Sequence, residues 1–194
     1  MVIKRYKLFA IFYGLVCHGI FLIAGAIMFS TILTGFQFSV GALEGLSAVA
    51  INFLLLIQFP IGHSFFLSKR GMRVLEIFAP KSYAKTLRTT IYATIASMQL
   101  ILLFSLWNFS GVFVWQIEMP ANLIMILLNL ASWALLSISS IQAGYKVQTG
   151  SLGWTSVYQG KEPIFPDMPT RGMFSIIRQP IYLSFSLVLW TSPQ

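Results

Sequence analysis

The strongest constraint in this sequence is a set of long stretches without a charged residue. The first, 8–32, follows Lys4, Arg5 and Lys7 and contains no Asp, Glu, Lys or Arg. As a helix rising about 1.5 Å per residue, a run of that length exceeds the roughly 30 Å hydrocarbon core of a bilayer. A signal peptide competes with this reading, because Ala24, Gly25 and Ala26 resemble a cleavage site. The run continues through Ile27, Met28 and Phe29, which is long for the apolar region of a signal, so a retained helix is expected. His18 within it reads as a helix-packing polar group rather than a metal ligand, since no second ligand stands at helical spacing.

Three more runs follow. The second, 46–66, contains Asn52, Gln58, Pro60 and His63, and Pro60 should kink the helix or open its hydrogen-bond ladder. A third spans 89–107 and carries Gln99; a fourth spans 121–143, with Trp133 and a Ser137, Ser139, Ser140 cluster suited to close helix contacts. Between the second and third, residues 72–79 have the spacing of a short amphipathic helix on the membrane surface, ended by Pro80. Hydrophobic residues make up 57% of the 194, charged ones 9%, and mean hydropathy is +0.79, which sets the chain apart from soluble domains of this length. The expected fold is all-α, a polytopic integral membrane helix bundle. It has four full transmembrane helices (8–32, 46–66, 89–107, 121–143) and the start of a fifth (180–190), in a single membrane domain over 1–194.

The basic residues alternate with these runs. Lys4, Arg5 and Lys7 precede the first; Lys69, Arg70, Arg73, Lys81, Lys85 and Arg88 follow the second; Lys146, Lys161, Arg171 and Arg178 follow the fourth. The loops 33–45 and 108–120 have no Lys or Arg and hold Glu44 and Glu118. This asymmetry predicts a cytoplasmic N-terminus and a cytoplasmic 144–179 segment. It also explains the net charge of +8 without a nucleic-acid partner. A lone Cys17 excludes an internal disulfide and a cysteine-based metal cluster. No metal-protease, Walker, dinucleotide-binding or Ser-His-Asp pattern is readable, and the five carboxylates are too scattered for a metal site.

Polar and aromatic groups crowd together in one place, at 169–182, where a polar segment meets a new apolar run. Thr170, Gly172, Phe174, Arg178, Pro180 and Tyr182 form a Thr-x-Gly-x-Phe-x-x-x-Arg-x-Pro-x-Tyr pattern. Gly172 permits torsions that other residues avoid, and Pro180 suits the first turn of a helix. The pattern resembles the signature of membrane methyltransferases related to isoprenylcysteine carboxyl methyltransferase, where Arg-His-Pro-x-Tyr opens a late transmembrane helix. The likeness extends to 153–161, and less clearly to His63, Ser64 and 88–92, in the manner of the methanethiol S-methyltransferase and NnrU-like branch. It covers 58–190, and its specific part is 150–190.

What the resemblance implies is a bacterial inner-membrane enzyme transferring a methyl group from S-adenosylmethionine to a small-molecule acceptor, a small thiol such as methanethiol or another thiol or carboxyl group. The segment 144–179 would be its cytoplasmic, cofactor-side loop. Gly172, Phe174, Arg178, Gln179, Pro180 and Tyr182 would belong to the cofactor cradle, with Tyr158, Lys161 and Glu162 as weaker candidates. No catalytic residue and no metal site is assigned. Gln179 stands where the family has His; it offers a hydrogen bond but neither a positive charge nor a base. In the family the last helix continues and an acidic, aromatic segment completes the site, so a chain ending at Gln194 is expected to be part of a longer enzyme. Two other classes share part of the pattern: nicotinamide-dependent membrane reductases of the steroid 5α-reductase type, and non-enzymatic NnrU-like accessory proteins.

Overall fold

The computed structural model describes residues 4–37, 39–108 and 117–193, so most of the expected outer loop 108–120 lies outside the described residues. In chain order the helices are α1 (Arg5–Leu33), α2 (Gly45–Leu67), α3 (Lys69–Leu75), α4 (Arg88–Ser105), α5 (Ala121–Gln142), α6 (Tyr145–Gln148), α7 (Ser151–Gln159) and α8 (Pro180–Trp190). Short 3-10 turns stand at Glu76–Phe78 and Gly172–Ser175. Among the described residues the regular structure is helical, apart from one isolated bridge between Gly41 and Asn108.

Among the described residues three helices, α1, α2 and α5, are long and apolar enough to cross a membrane. Many of their apolar side chains stay exposed, with Leu46 at 85% and Leu15 at 70%. In water each would forgo the transfer free energy of about 25 cal/mol per Å² that burial supplies, whereas hydrocarbon provides it from outside the protein. These helices identify a membrane protein. The third of the four expected spans, 89–107, corresponds to α4, which has 18 residues and stands outside that group. Arg88, Thr89, Thr90, Thr94, Ser97 and Gln99 dilute its apolar character.

The described residues pack as two compact units, 4–25 with 56–101 and 145–166, and 26–55 with 102–144 and 167–193. In the first, Ala10, Leu75, Leu87, Ile91 and Val157 form a buried cluster edged by Tyr13, Phe66, Tyr83 and Trp154. Thr90 fastens α7 to α4: its hydroxyl donates to the Gly150 carbonyl at 2.6 Å and accepts from the Trp154 amide at 2.9 Å. Gly150 has φ +72°, and a Cβ there would lie 2.6 Å from that of Ala93, so glycine is required twice over. Trp154 also donates its indole N–H to His18 Nε2 at 3.0 Å, which makes His18 a packing partner of α7. Cys17 is buried, its thiol 3.5 Å from the Thr149 carbonyl.

Pro60 lies inside α2, which stays helical through it. Next to it, Gln58 and Gln99 pair reciprocally: Gln58 Nε2 donates to the Gln99 carbonyl at 3.0 Å, and Gln99 Nε2 donates to the Gln58 carbonyl at 2.9 Å. Polar side chains in hydrocarbon find partners on neighbouring helices in this way.

In the second unit α8 lies along α5. Ser132 and Ser139 of α5 and Ser184 and Val188 of α8 are buried, and such small residues let two backbones approach closely. Asn129, fully buried, donates to the Val188 carbonyl at 2.8 Å and lies 3.2 Å from the Thr191 hydroxyl. Ser192 donates to the Ile32 carbonyl at 2.5 Å, tying the end of α8 to α1. Asn52 and Asn108 form a second reciprocal pair, Asn108 N to Asn52 Oδ1 and Asn52 Nδ2 to the Asn108 carbonyl, each at 2.8 Å.

Candidate functional site

The six cradle residues lie together at the entrance to α8, in the second unit. Gly172 opens the 3-10 turn with φ +64°, a left-handed value, and a Cβ there would sit 2.6 Å from Gln142 Oε1. That oxygen accepts the Met173 amide at 2.8 Å, so the last residue of α5 holds the turn. Pro180 is buried at the first position of α8, where its missing N–H costs nothing and its fixed φ suits the helix. Gln179 is the preceding residue; its side chain makes no cap bond, and its carbonyl accepts from Leu183 N at 3.2 Å.

The remaining side chains divide by exposure. Phe174 is half-buried, whereas Arg178 and Gln179 are exposed and Tyr182 is 70% exposed. Among the described residues the ion pair is Arg88 with Glu76, so the Arg178 guanidinium has no carboxylate partner. A row of guanidinium, carboxamide and phenol along the start of a helix can bind an anion, donate hydrogen bonds and offer an aromatic face.

The weaker candidates lie in the first unit. Lys161 and Glu162 line a cavity of about 280 Å³ with Tyr6, Ser82, Tyr83, Thr86, Val157 and Gly160. Tyr158 carries the Lys7 ammonium 4.8 Å above its ring centre. His63 pairs with Tyr92, whose hydroxyl is 2.7 Å from Nε2, and the ring of Phe59 lies beside the imidazole at 5.3 Å. Sequence reasoning did not find Gln142, or Tyr6, Ser82, Tyr83 and Thr86. Each is an ordinary residue by type and position, made notable only by what packs against it.

A protein named methanethiol S-methyltransferase 1, from Bradyrhizobium diazoefficiens, is 26% identical over 200 residues, which cover 98% of this chain and 67% of that protein. A methanethiol S-methyltransferase from a Pseudomonas species is 23% identical over 96% of this chain and 72% of its own length. One from Mycobacterium tuberculosis is 24% identical over 75% of this chain and 59% of its own. The chain is a relative of the methanethiol S-methyltransferases. The first two of these methyltransferases align with nearly the whole described fold, beyond the specific part at 150–190. No family model matches the chain, and no solved structure matches it.

Proposed function

We propose that the protein is a membrane-embedded, S-adenosylmethionine-dependent methyltransferase acting on a small thiol such as methanethiol. The observation that carries this reading is coverage. Relatives bearing that name align with 98% and 96% of the chain, a likeness that includes the polar segment ahead of α8 as well as the apolar helices. The reading takes α4 as a fourth crossing, and puts the N-terminus and 144–179 on the cytoplasmic side of a bacterial inner membrane, where a soluble cofactor is found.

The donor set at α8 fits such a cofactor. When bound, it supplies an electrophilic methyl group on a sulfonium. Arg178 would hold the amino-acid carboxylate through its planar fork, a contact that exposure and lack of an internal partner leave available. Tyr182 and Phe174 would face the adenine or the cation. Gln179 would add carboxamide hydrogen bonds but cannot take a proton, and little acid–base chemistry is needed where a thiol acceptor arrives already as its thiolate. Gln142 and Gly172 fix the turn that carries Phe174, and Pro180 fixes where α8 begins. The protein's contribution on this reading is positioning and exclusion of water rather than acid–base chemistry.

Membranes carrying the complete gene product should convert methanethiol and S-adenosylmethionine to dimethyl sulfide, measured by headspace gas chromatography, whereas residues 1–194 alone, without the segment expected to complete the site, should insert but not turn over. Membranes carrying Arg178→Ala should make far less. Production by the complete gene product no greater than in membranes lacking it would overturn the reading.

A further inference from the structure

Where α2 ends and α3 begins, the first unit has an open groove of about 900 Å³. Pro60, Ile61, Ser64 and Phe65 line it from α2, and Ser68, Lys69 and Arg70 from the start of α3. Its two ends differ in chemistry. Ile61 and Phe65 are 63% and 44% exposed, a hydrocarbon-like wall, while the other end carries an ammonium and a guanidinium.

Ser68 alone separates α2 from α3, which keeps the two kinds of residue close together. Ser68 caps α3, its hydroxyl accepting the Gly71 amide at 3.1 Å. A Cβ on Gly71 would overlap the Phe65 carbonyl, so the two backbones touch. The next elements suit a membrane surface: α3 buries Gly71 and Leu75 and exposes Arg73, and the turn after it exposes Ile77 and Phe78. Glu76 is the one carboxylate in 69–88, and it is paired with Arg88. Lys69, Arg70 and Arg73 therefore have no carboxylate partner among the described residues.

We propose that this groove binds an anionic phospholipid, its phosphate at Lys69 and Arg70 and an acyl chain along Pro60, Ile61 and Phe65. Charge complementarity selects the occupant. A zwitterionic lipid brings its own cation and leaves the two basic residues uncompensated, and a free phosphate leaves the apolar wall uncovered. Each basic residue near an anionic headgroup favours it several-fold. Ser64, exposed in the groove, offers a further hydroxyl donor.

Lipid retention on the purified, detergent-solubilised protein tests this, by native mass spectrometry with phosphatidylglycerol and phosphatidylcholine of identical chains. Phosphatidylglycerol should be retained about tenfold or more over phosphatidylcholine. Lys69→Gln with Arg70→Gln should bring the ratio close to one. Lys81→Gln with Lys85→Gln removes the same charge at exposed positions outside the groove and should leave the ratio unchanged. Equal concentrations of glycerol phosphate should not displace the lipid. A preference that survives in the groove variant, disappears equally in both variants, or yields to glycerol phosphate would overturn the proposal.

Discussion

Arg178 stands six residues after Gly172, and the two do opposite things: one reaches outward with nothing to hold, the other is held. For Arg178 the expected behaviour follows from the fork. Arg178→Lys keeps the charge but loses the bidentate geometry, so S-adenosylmethionine affinity measured by calorimetry should fall about tenfold, with thermal stability unchanged. Unchanged affinity would assign Arg178 to the lipid headgroups instead. Gly172→Ala meets both a left-handed φ and Gln142, so the turn must shift. A cost of about 1–3 kcal/mol in stability is expected, and cofactor affinity should fall with it. Gln142→Leu removes the Met173 bond without touching the turn's own residues, and should lower cofactor affinity with a smaller loss of stability, about 1 kcal/mol. Gly172 and Pro180 were legible because torsional preference is a property of the residue itself. Gln142 was not: in sequence it is one polar residue at the end of an apolar run, and its partner is thirty-one positions on.

Helix pairing makes the same distinction between local and tertiary information. The apolar runs announce helices, and the serines in α5 announce close contact, yet nothing in the chain says that α8 is what comes close. The deciding residue is Asn129, buried with its amide on the Val188 carbonyl of α8. Asn129→Leu fills similar volume and leaves that carbonyl one donor short. The expected loss is about 1 kcal/mol, because interhelical hydrogen bonds in membranes are worth roughly that. Thermal unfolding in detergent should report it, and faster proteolysis ahead of Pro180 should accompany it; a variant as stable and resistant as the parent would show that small-residue packing alone holds α8. In the first unit, Gln58 and Gln99 were each visible as polar residues in an apolar span. Their reciprocal pairing across α2 and α4 is a tertiary fact. The hydropathy of α4 suffers for carrying such groups, which is why a span counted from sequence does not stand among the three apolar enough to cross unaided.

For the molecule as a whole, the alternation of basic and uncharged connections decides how the chain should sit in a bilayer. Translocating a loop that holds Lys69, Arg70, Arg73, Lys81, Lys85 and Arg88 would carry six cations across, whereas 33–45 carries only Glu44. Two described, solvent-facing regions can report the outcome. Val40, 71% exposed, lies in the uncharged connection, and Met168, 68% exposed, lies in the segment ahead of the α8 signature. In a Cys17→Ala background, Val40→Cys should react with a membrane-impermeant thiol reagent in intact spheroplasts, and Met168→Cys only after the membrane is opened. The alanine background is needed because Cys17, though buried, would otherwise be a second thiol on unfolding. If both cysteines react from outside, an even number of crossings separates them, and α4 does not span. If Met168→Cys alone reacts from outside, the orientation is reversed. Arg178 would then face away from cytoplasmic S-adenosylmethionine, and the reading of the α8 entrance as a cofactor site would fall with the topology.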